Sequence, residues 1–192
     1  MEIIQYFFPP IPGIYQFCLD NVKAVAEKMG IKYTLIQDRI EVPAEYITAN
    51  LNQSIRDSTD WIRLKWLTVD PERFWIDADM LIVKPFDFEF KKGKPYIIND
   101  MCPAAALYGN SCKEQMDKLF SLERVRNLHR NVEKRLSNDY YMIPNGYILH
   151  LHLGCMLGAN RLQNQFCKLK KENGELVFET IKGYALPSTT HD

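Results

Sequence analysis

The sequence has no apolar run long enough to cross a bilayer, and its N-terminus lacks the charged-then-apolar order of a signal peptide. We therefore expect a cytoplasmic protein without a transmembrane segment. Neither sign of charge is in excess, because 24 Lys and Arg residues balance 24 Asp and Glu residues. Nucleic acid and anionic membranes are thus not predicted as partners. The five cysteines form no C-x-x-C pair, which favours reduced thiols over a structural zinc site.

The chain also lacks internal repeats and low-complexity segments, and its 192 residues suit one domain spanning 1–192. Strand-type and helix-type patterns alternate along it, which predicts a single α/β/α, Rossmann-like domain with a mixed, mostly parallel central sheet. The predicted strands lie in Glu2–Phe8, Ile31–Ile36, Phe74–Val83, Pro95–Met101, Ala104–Tyr108, Tyr140–Ile143 and Gly146–Leu153. The predicted helices are Ile14–Met29, Ser54–Val69 and Ser111 to about Leu136, the last with Ser111 as its N-cap.

Two aspartates interrupt the hydrophobic segment FWIDADMLIV, which spans Phe74–Val83. In an extended chain, residues i and i+2 point the same way, so Asp77 and Asp79 would aim both carboxylates at one spot. Two converging negative charges need a compensating cation, and Mg²⁺ and Mn²⁺ prefer carboxylate oxygen and often share it with phosphates. The pattern favours a metal–diphosphate site at the end of a central strand. The alternative is a polar turn between two core strands.

A second group of charges, Asp60 and Arg63, lies just before this segment, three residues apart on one face of a predicted helix. A carboxylate and a guanidinium in this arrangement can recognise the hydroxyls of a sugar or a phosphate. The alternative is a surface ion pair that contributes a few tenths of a kcal/mol to stability.

Several polar residues near the ends of later predicted strands are further candidates. His150 and His152 alternate in GYILHLHLG and would share one strand face, where imidazole nitrogen suits Mn²⁺ better than Mg²⁺. Asn99 and Asp100 end one predicted strand, and Asp139 precedes another, so each could touch an acceptor. The alternatives are core histidines and ordinary turn residues.

Read together, Ser58–Leu67 and the W-I-D-A-D-M motif resemble the signature of the DXD-containing (GT-A-type) glycosyltransferases, in which a Ser-Asp-x-x-Arg helix precedes Asp-x-Asp. The resemblance is dense from Ser58 to Pro85. The opening IIQYFFPPIP and the late YYMIPNGYILHLHLG are similar to the first and last blocks of that family, in the same order.

The resemblance implies roles by position. Asp79 would bind the divalent metal directly, and Asp77 would hold the water shell of the metal and the ribose. Both would be catalytic residues. Asp60 and Arg63 would bind the donor sugar. Phe7 or Phe8, with Tyr6, would flank the base. His150 or His152 would complete the metal site.

The function this implies is Mn²⁺- or Mg²⁺-dependent transfer of a hexose or N-acetylhexosamine from a nucleotide sugar, UDP-linked, to a hydroxyl with retention. The acceptor would be a glycan, a lipid-linked group or a protein. Two alternatives stay open. Asp70-Pro71-Glu72-Arg73 replaces the family's Gly-Gly loop, which suggests a catalytically inactive nucleotide-sugar-binding module. A haloacid-dehalogenase-type phosphatase also places D-x-D after a hydrophobic strand, but there small residues follow the second aspartate.

Overall fold

The computed structural model describes residues 1–11, 13–46, 51–121, 128–151, 167–172 and 175–180. Its strands are β1 Glu2–Tyr6, β2 Lys32–Ile36, β3 Arg73–Ile76, β4 Met80–Ile82, β5 Tyr96–Ile97, β6 Ala106–Tyr108, β7 Tyr141–Met142, β8 Ile148–His150, β9 Cys167–Glu172 and β10 Glu175–Thr180. Its α-helices are α1 Gly13–Lys28, α2 Leu51–Val69, α3 Lys113–Leu119 and α4 Leu128–Arg135, and short 3-10 turns span Ala44–Tyr46 and Pro103–Ala105. Among these helices, none is both long and apolar enough to cross a membrane.

The central sheet has six strands in the order β2-β1-β3-β6-β5-β7. Neighbours β2, β1 and β3 are parallel, β6 runs antiparallel to both β3 and β5, and β7 is parallel to β5. Five strands therefore run in one direction and only β6 opposes them. The predicted mixed, mostly parallel α/β sheet is confirmed.

Alternate residues of the central strands enter two different cores, as the period of a strand requires. Ile4 and Trp75 pack with residues of α2, α3 and α4 on one face. Ile3 and Phe74, their direct neighbours in the chain, pack with Val22 of α1 on the other face. Because both faces are covered by helices, the central strands carry almost continuous apolar residues.

The carboxyl ends of the five like-directed strands form one edge of the sheet, the edge where open α/β sheets bind ligands. At this edge the chain leaves β3 through a turn, in which the Met80 amide donates to the Asp77 carbonyl oxygen at 3.2 Å. It then enters β4, which pairs with β8 in a separate two-stranded sheet. The single strand predicted over Phe74–Val83 is therefore wrong: two short strands of different sheets flank a turn.

The long helix predicted over Ser111–Leu136 is also interrupted. Helix α3 ends at Leu119, and Phe120 caps it with an amide bonded to Asp117 and Met116 carbonyls. Ser111 is not the N-cap, because it adopts a positive φ of 62° and donates its hydroxyl to Glu72. Cys112 occupies the N-cap position, and its thiol donates to the Asn110 carbonyl at 3.4 Å instead of accepting from a helix amide.

At the opposite edge, the Glu2 carboxylate joins the starts of three strands. Burial raises its pKa, but hydrogen bonds from Lys32, Thr34 and Arg73 outweigh this and lower it from 4.5 to about 2. The ionised form is thus favoured by the folded state. This contribution to stability is complete above pH 4.5 and is lost as the pH falls towards 2.

We therefore expect Glu2→Gln to lower the free energy of unfolding at pH 7 by roughly 1–3 kcal/mol. The difference from the wild type should shrink between pH 4.5 and 2, since the wild-type carboxylate then becomes protonated. Urea unfolding across this pH range measures both effects. Glu114→Gln, which removes a fully exposed partner of Lys118, is the control. An equal loss at pH 7 in both variants would contradict the role of Glu2.

Candidate functional site

Asp77 follows β3 directly, at the carboxyl edge of the central sheet. Its amide donates to the Ala105 carbonyl at 2.8 Å, and its own carbonyl accepts from the side-chain amide of Gln5 at 3.1 Å. Gln5 is itself completely buried and accepts a hydrogen bond from the Tyr33 hydroxyl. The backbone of Asp77 is therefore fixed from three sides.

The carboxylate of Asp77 is held by two donors as well. Arg63 Nη2 lies 2.8 Å from Oδ1 and 3.0 Å from Oδ2, and the Trp75 indole nitrogen lies 2.6 Å from Oδ1. The Asp77 side chain is nonetheless 20% exposed. It is a carboxylate whose charge is compensated by Arg63 and which remains partly open to solvent.

Asp60 and Arg63 form a buried ion pair instead of a surface one. Each side chain is 1% exposed, and Arg63 Nη1 lies 2.6 Å from Asp60 Oδ1. Burial lowers the pKa of Arg63, but the negative charges of Asp77 and Asp60 outweigh it and raise that pKa above its ordinary value. A cation held between two carboxylates connects helix α2 to the turn after β3.

Asp79 has a different partner. Its Oδ1 lies 3.3 Å from Nε2 of His150, while Nδ1 of the same imidazole lies 3.4 Å from Oδ1 of Asp100. The pairing of β4 with β8 places Met80 opposite His150, and the Leu151 amide bonds the Asp79 carbonyl at 2.9 Å. Residues far apart in sequence thus meet through the small second sheet.

This imidazole sits in a strongly negative field. Burial lowers the pKa of His150, but hydrogen bonds with Asp100 and Asp79, together with the charges of Asp79 and Asp77, raise it to about 10. Asp79 and Asp77 also affect Tyr15. Burial, together with the charges of Asp79, Cys18 and Asp77, raises the pKa of Tyr15 to about 12. Asp77 and Asp79 therefore act on one region, although their direct partners differ.

The residues around Asp79 offer a donor set that suits a divalent ion. A carboxylate oxygen and an imidazole nitrogen lie side by side, which is a combination that Mn²⁺ accepts. No group of three or more His, Cys, Asp or Glu side chains poised for a metal occurs in the described part of the chain. The two groups fit an ion that takes its remaining ligands from water and phosphate oxygens.

A cavity of about 540 Å³ opens beside the end of β1. Tyr6 lines it, together with the partly buried Ile40 and Val42 and the hydroxyl-bearing Ser58 and Thr59 of α2. Its mixture of apolar and polar groups is what small-molecule sites present. Ser58 and Thr59 belong to the same helix, α2, as the buried pair Asp60 and Arg63.

The other two aromatic residues predicted to flank a base lie at the same edge. The Phe7 ring packs against Tyr15 with centroids 4.6 Å apart, and the Phe7 amide bonds the Ile36 carbonyl. Phe8 is 50% exposed. Neither side chain lines the 540 Å³ cavity, so only Tyr6 of the three does.

The residues proposed for an acceptor separate into two places. Asn99 and Asp100 line a small pocket of about 50 Å³ together with His150. Asp139 pairs with Lys94 at 2.7 Å. Lys94 precedes β5 and Asp139 precedes β7, and these two strands are parallel. Both residues therefore lie at the opposite edge of the sheet from Asp100, which follows β5. The structure therefore does not bring Asp139 to the other candidates.

Sequence reasoning missed Trp75, Tyr15 and Gln5. Trp75 had a visible signal, because it stands two residues before Asp77 on a strand and must share its side. The contacts of Tyr15 and Gln5 depend on long-range packing and have no such signal. His152, predicted as an alternative metal ligand, lies outside the described residues.

Comparison with known proteins gives a structural relationship and no sequence relationship. No family model and no curated protein matches the chain. Among solved structures, the chain is similar to a glycosyltransferase involved in the glycosylation of the major capsid of PBCV-1. The TM-score is 0.55 at 12% identity, over 83% of this chain and 95% of that one. The fold is glycosyltransferase-like.

Two weaker likenesses have TM-scores too low to define the fold. One is CTP:phosphocholine cytidylyltransferase from Streptococcus pneumoniae, with a TM-score of 0.39 and 10% identity over 84% of this chain and 97% of that one. The other is a mutant of Drosophila β-1,4-galactosyltransferase 7 in complex with manganese, UDP-galactose and xylobiose. Its TM-score is 0.36, with 10% identity over 79% of this chain and 71% of that one. The assignment of the fold therefore rests on the similarity to the PBCV-1 enzyme and on the sheet described above.

Proposed function

We propose that this protein is a metal-dependent glycosyltransferase. It would move a hexose or N-acetylhexosamine from a UDP-linked sugar to a hydroxyl acceptor with retention of configuration. The observation that carries the proposal is that His150 contacts both Asp79 and Asp100 at the carboxyl edge of the sheet, next to the turn at Asp77, in a fold shared with a known glycosyltransferase. Strand ends at this edge are where nucleotide ligands bind in open α/β sheets.

The nucleoside of the donor is assigned to the 540 Å³ cavity at the end of β1. Tyr6, Ile40, Val42 and Ile62 supply apolar surface for a base, and Ser58 and Thr59 supply hydroxyls for polar atoms. Phe7 and Phe8 follow in the same loop. From this cavity the diphosphate would extend towards the turn at Asp77 and Asp79, where a bound divalent ion would offset the negative charges of carboxylate and phosphate.

Asp79 and His150 are the residues proposed to hold the divalent ion. When bound, Mn²⁺ or Mg²⁺ supplies Lewis-acid stabilisation of the negative charge that develops on the leaving diphosphate. Asp79 would contribute an oxygen ligand, and His150 would contribute Nε2 in its deprotonated form. Asp100, on the other ring nitrogen, orients the imidazole as carboxylate partners do in metal sites.

The ribose of the donor is proposed to lie against Asp77. Arg63 and Asp60, each 1% exposed, support this carboxylate from the protein interior, so their effect on donor binding passes through Asp77. Asn99 and Asp100, in the pocket beside His150, are the proposed contacts of the acceptor hydroxyl. The acceptor is proposed to be a glycan, a lipid-linked group or a protein.

A screen of nucleotide sugars with Mn²⁺, scored for released nucleoside diphosphate, tests the proposal. We expect slow hydrolysis of at least one UDP-sugar, because glycosyl transfer to water needs no specific acceptor. EDTA should abolish the release, and excess Mn²⁺ should restore it. Binding of UDP and Mn²⁺ in a calorimeter without any turnover would instead identify an inactive binding module. A protein that binds neither contradicts the proposal.

A further inference from the structure

The buried indole of Trp75 has a polar partner that the fold does not require. Its ring is 1% exposed and contributes to the core beneath α2, which explains its size but not its indole nitrogen. That nitrogen donates to Asp77 Oδ1 at 2.6 Å, and the Arg63 guanidinium lies 5.8 Å from the ring centroid. The Trp75 side chain thus hydrogen-bonds Asp77 and lies close to Arg63, which is the cation paired with Asp77.

The other two tryptophans of the chain show that a buried indole need not be paired here. The indole nitrogens of Trp61 and Trp66 are buried and have no hydrogen-bond partner among the described residues. All three side chains contribute to the same core. Trp75 therefore differs from them by its contact with Asp77 and not by its packing.

The geometry at Asp77 leaves room for one further contact. A carboxylate has about four lone-pair sites. Arg63 donates to both oxygens and Trp75 donates to Oδ1, so Oδ2 retains the free capacity. Since the side chain is 20% exposed, a hydroxyl from the cleft can reach it. The orientation of the carboxylate decides whether Oδ2 faces that hydroxyl.

We propose that Trp75 is a positioning residue: its indole N–H, with Arg63, fixes the Asp77 carboxylate so that Oδ2 accepts a ribose hydroxyl of the nucleoside diphosphate. The inference rests on the proposed function for its ligand. It adds a residue whose effect on binding passes through Asp77 and does not require contact between Trp75 and the ligand.

The first test compares Trp75→Phe with Trp61→Phe. Both variants lose an indole N–H and part of a buried ring, but only the first loses a hydrogen bond to a charged group. For UDP with Mn²⁺, calorimetry should show about tenfold weaker binding by Trp75→Phe and no change for Trp61→Phe. Binding of pyrophosphate with Mn²⁺, which offers no hydroxyl, should be unchanged in both. Equal UDP affinity in the two variants would overturn the inference.

A double-mutant cycle separates positioning from a general structural effect. In the Asp77→Ala background, Trp75→Phe should cause no further loss of UDP affinity, because the group through which it acts is gone. A full tenfold loss in that background would show that Trp75 acts elsewhere, and would refute the inference. If Trp75→Phe does not fold, β-(3-benzothienyl)alanine at position 75 keeps the ring shape and replaces N–H by sulfur.

A measurement without ligand tests the contact itself. In ¹H–¹⁵N spectra, the indole resonance that disappears in Trp75→Phe should shift in Asp77→Ala, while that of Trp61 should not. If the chemical shift of the Trp75 indole is the same in Asp77→Ala as in the wild type, the inference is overturned, regardless of the results for UDP binding. A wild-type protein that binds no UDP with Mn²⁺ contradicts the proposed function, and the indole resonance then decides the contact independently.

Discussion

Asp79→Ala should lower turnover of the nucleotide sugar by at least about 100-fold, the scale of removing one stabilising group from a charged transition state. The reason is that Asp79 places a carboxylate oxygen 3.3 Å from Nε2 of His150, and these two groups are the proposed ligands of the ion. Mn²⁺-dependent binding of UDP should weaken in parallel. Released nucleoside diphosphate and calorimetry measure the two effects.

The fold should survive this substitution. The Asp79 side chain lies in a turn and is 15% exposed, and its backbone carbonyl, which bonds the Leu151 amide, is kept in alanine. Asp117→Ala is the matched control, since that carboxylate pairs with Lys113 on the surface of α3. Full activity in Asp79→Ala, or an equal loss in Asp117→Ala, would contradict the assignment of Asp79.

Arg63→Met should lower the free energy of unfolding by about 3–5 kcal/mol, the cost of leaving buried charge uncompensated. Arg63 stands between Asp60, which is 1% exposed, and Asp77, which is 20% exposed. Removal of the guanidinium leaves both carboxylates without their cation. Since domains of this size are stable by roughly 5–15 kcal/mol, urea unfolding should show a large shift of the midpoint.

Two further variants distinguish buried charge from lost packing. Lys118→Met removes the cation of an exposed pair with Glu114 and should change stability by less than about 0.5 kcal/mol. Adding Asp60→Asn to Arg63→Met should recover part of the lost free energy of unfolding. The reason is that Asp60, the more deeply buried of the two carboxylates, is then replaced by a neutral amide. If the double variant is less stable than Arg63→Met, the loss comes from packing and the electrostatic account is wrong.

Local patterns were sufficient to predict the layers of this fold. The period of two in a strand sends Ile3 and Phe74 to one face and Ile4 and Trp75 to the other, and helical spacing predicted α1 and α2 nearly to their ends. The same patterns failed where the chain turns without a proline or glycine. The turn at Asp77–Met80 and the end of α3 at Leu119 both lie inside apparently continuous patterns.

The candidate site was predictable in part for the same reason. The spacing of Asp60 and Arg63 placed them together, and the structure brings them to 2.6 Å. Asp77 and Asp79 lie in a turn and not in an extended strand, so strand alternation does not set the direction of their carboxylates. Their charges still meet at His150, but through the packing of a second sheet.

The sequence by itself determined which apolar residues of the strands face each core, and that Trp75 stands two residues before the acidic Asp77 at the end of β3. These properties depend on spacings of two to four residues, which the backbone geometry fixes locally. Only the tertiary structure decided that Arg63 bonds Asp77, that His150 lies beside Asp79, and that Asp139 lies at the far edge from Asp100. Such pairs depend on strand order, strand direction and helix packing, because side chains far apart in the chain meet only after the sheets have assembled.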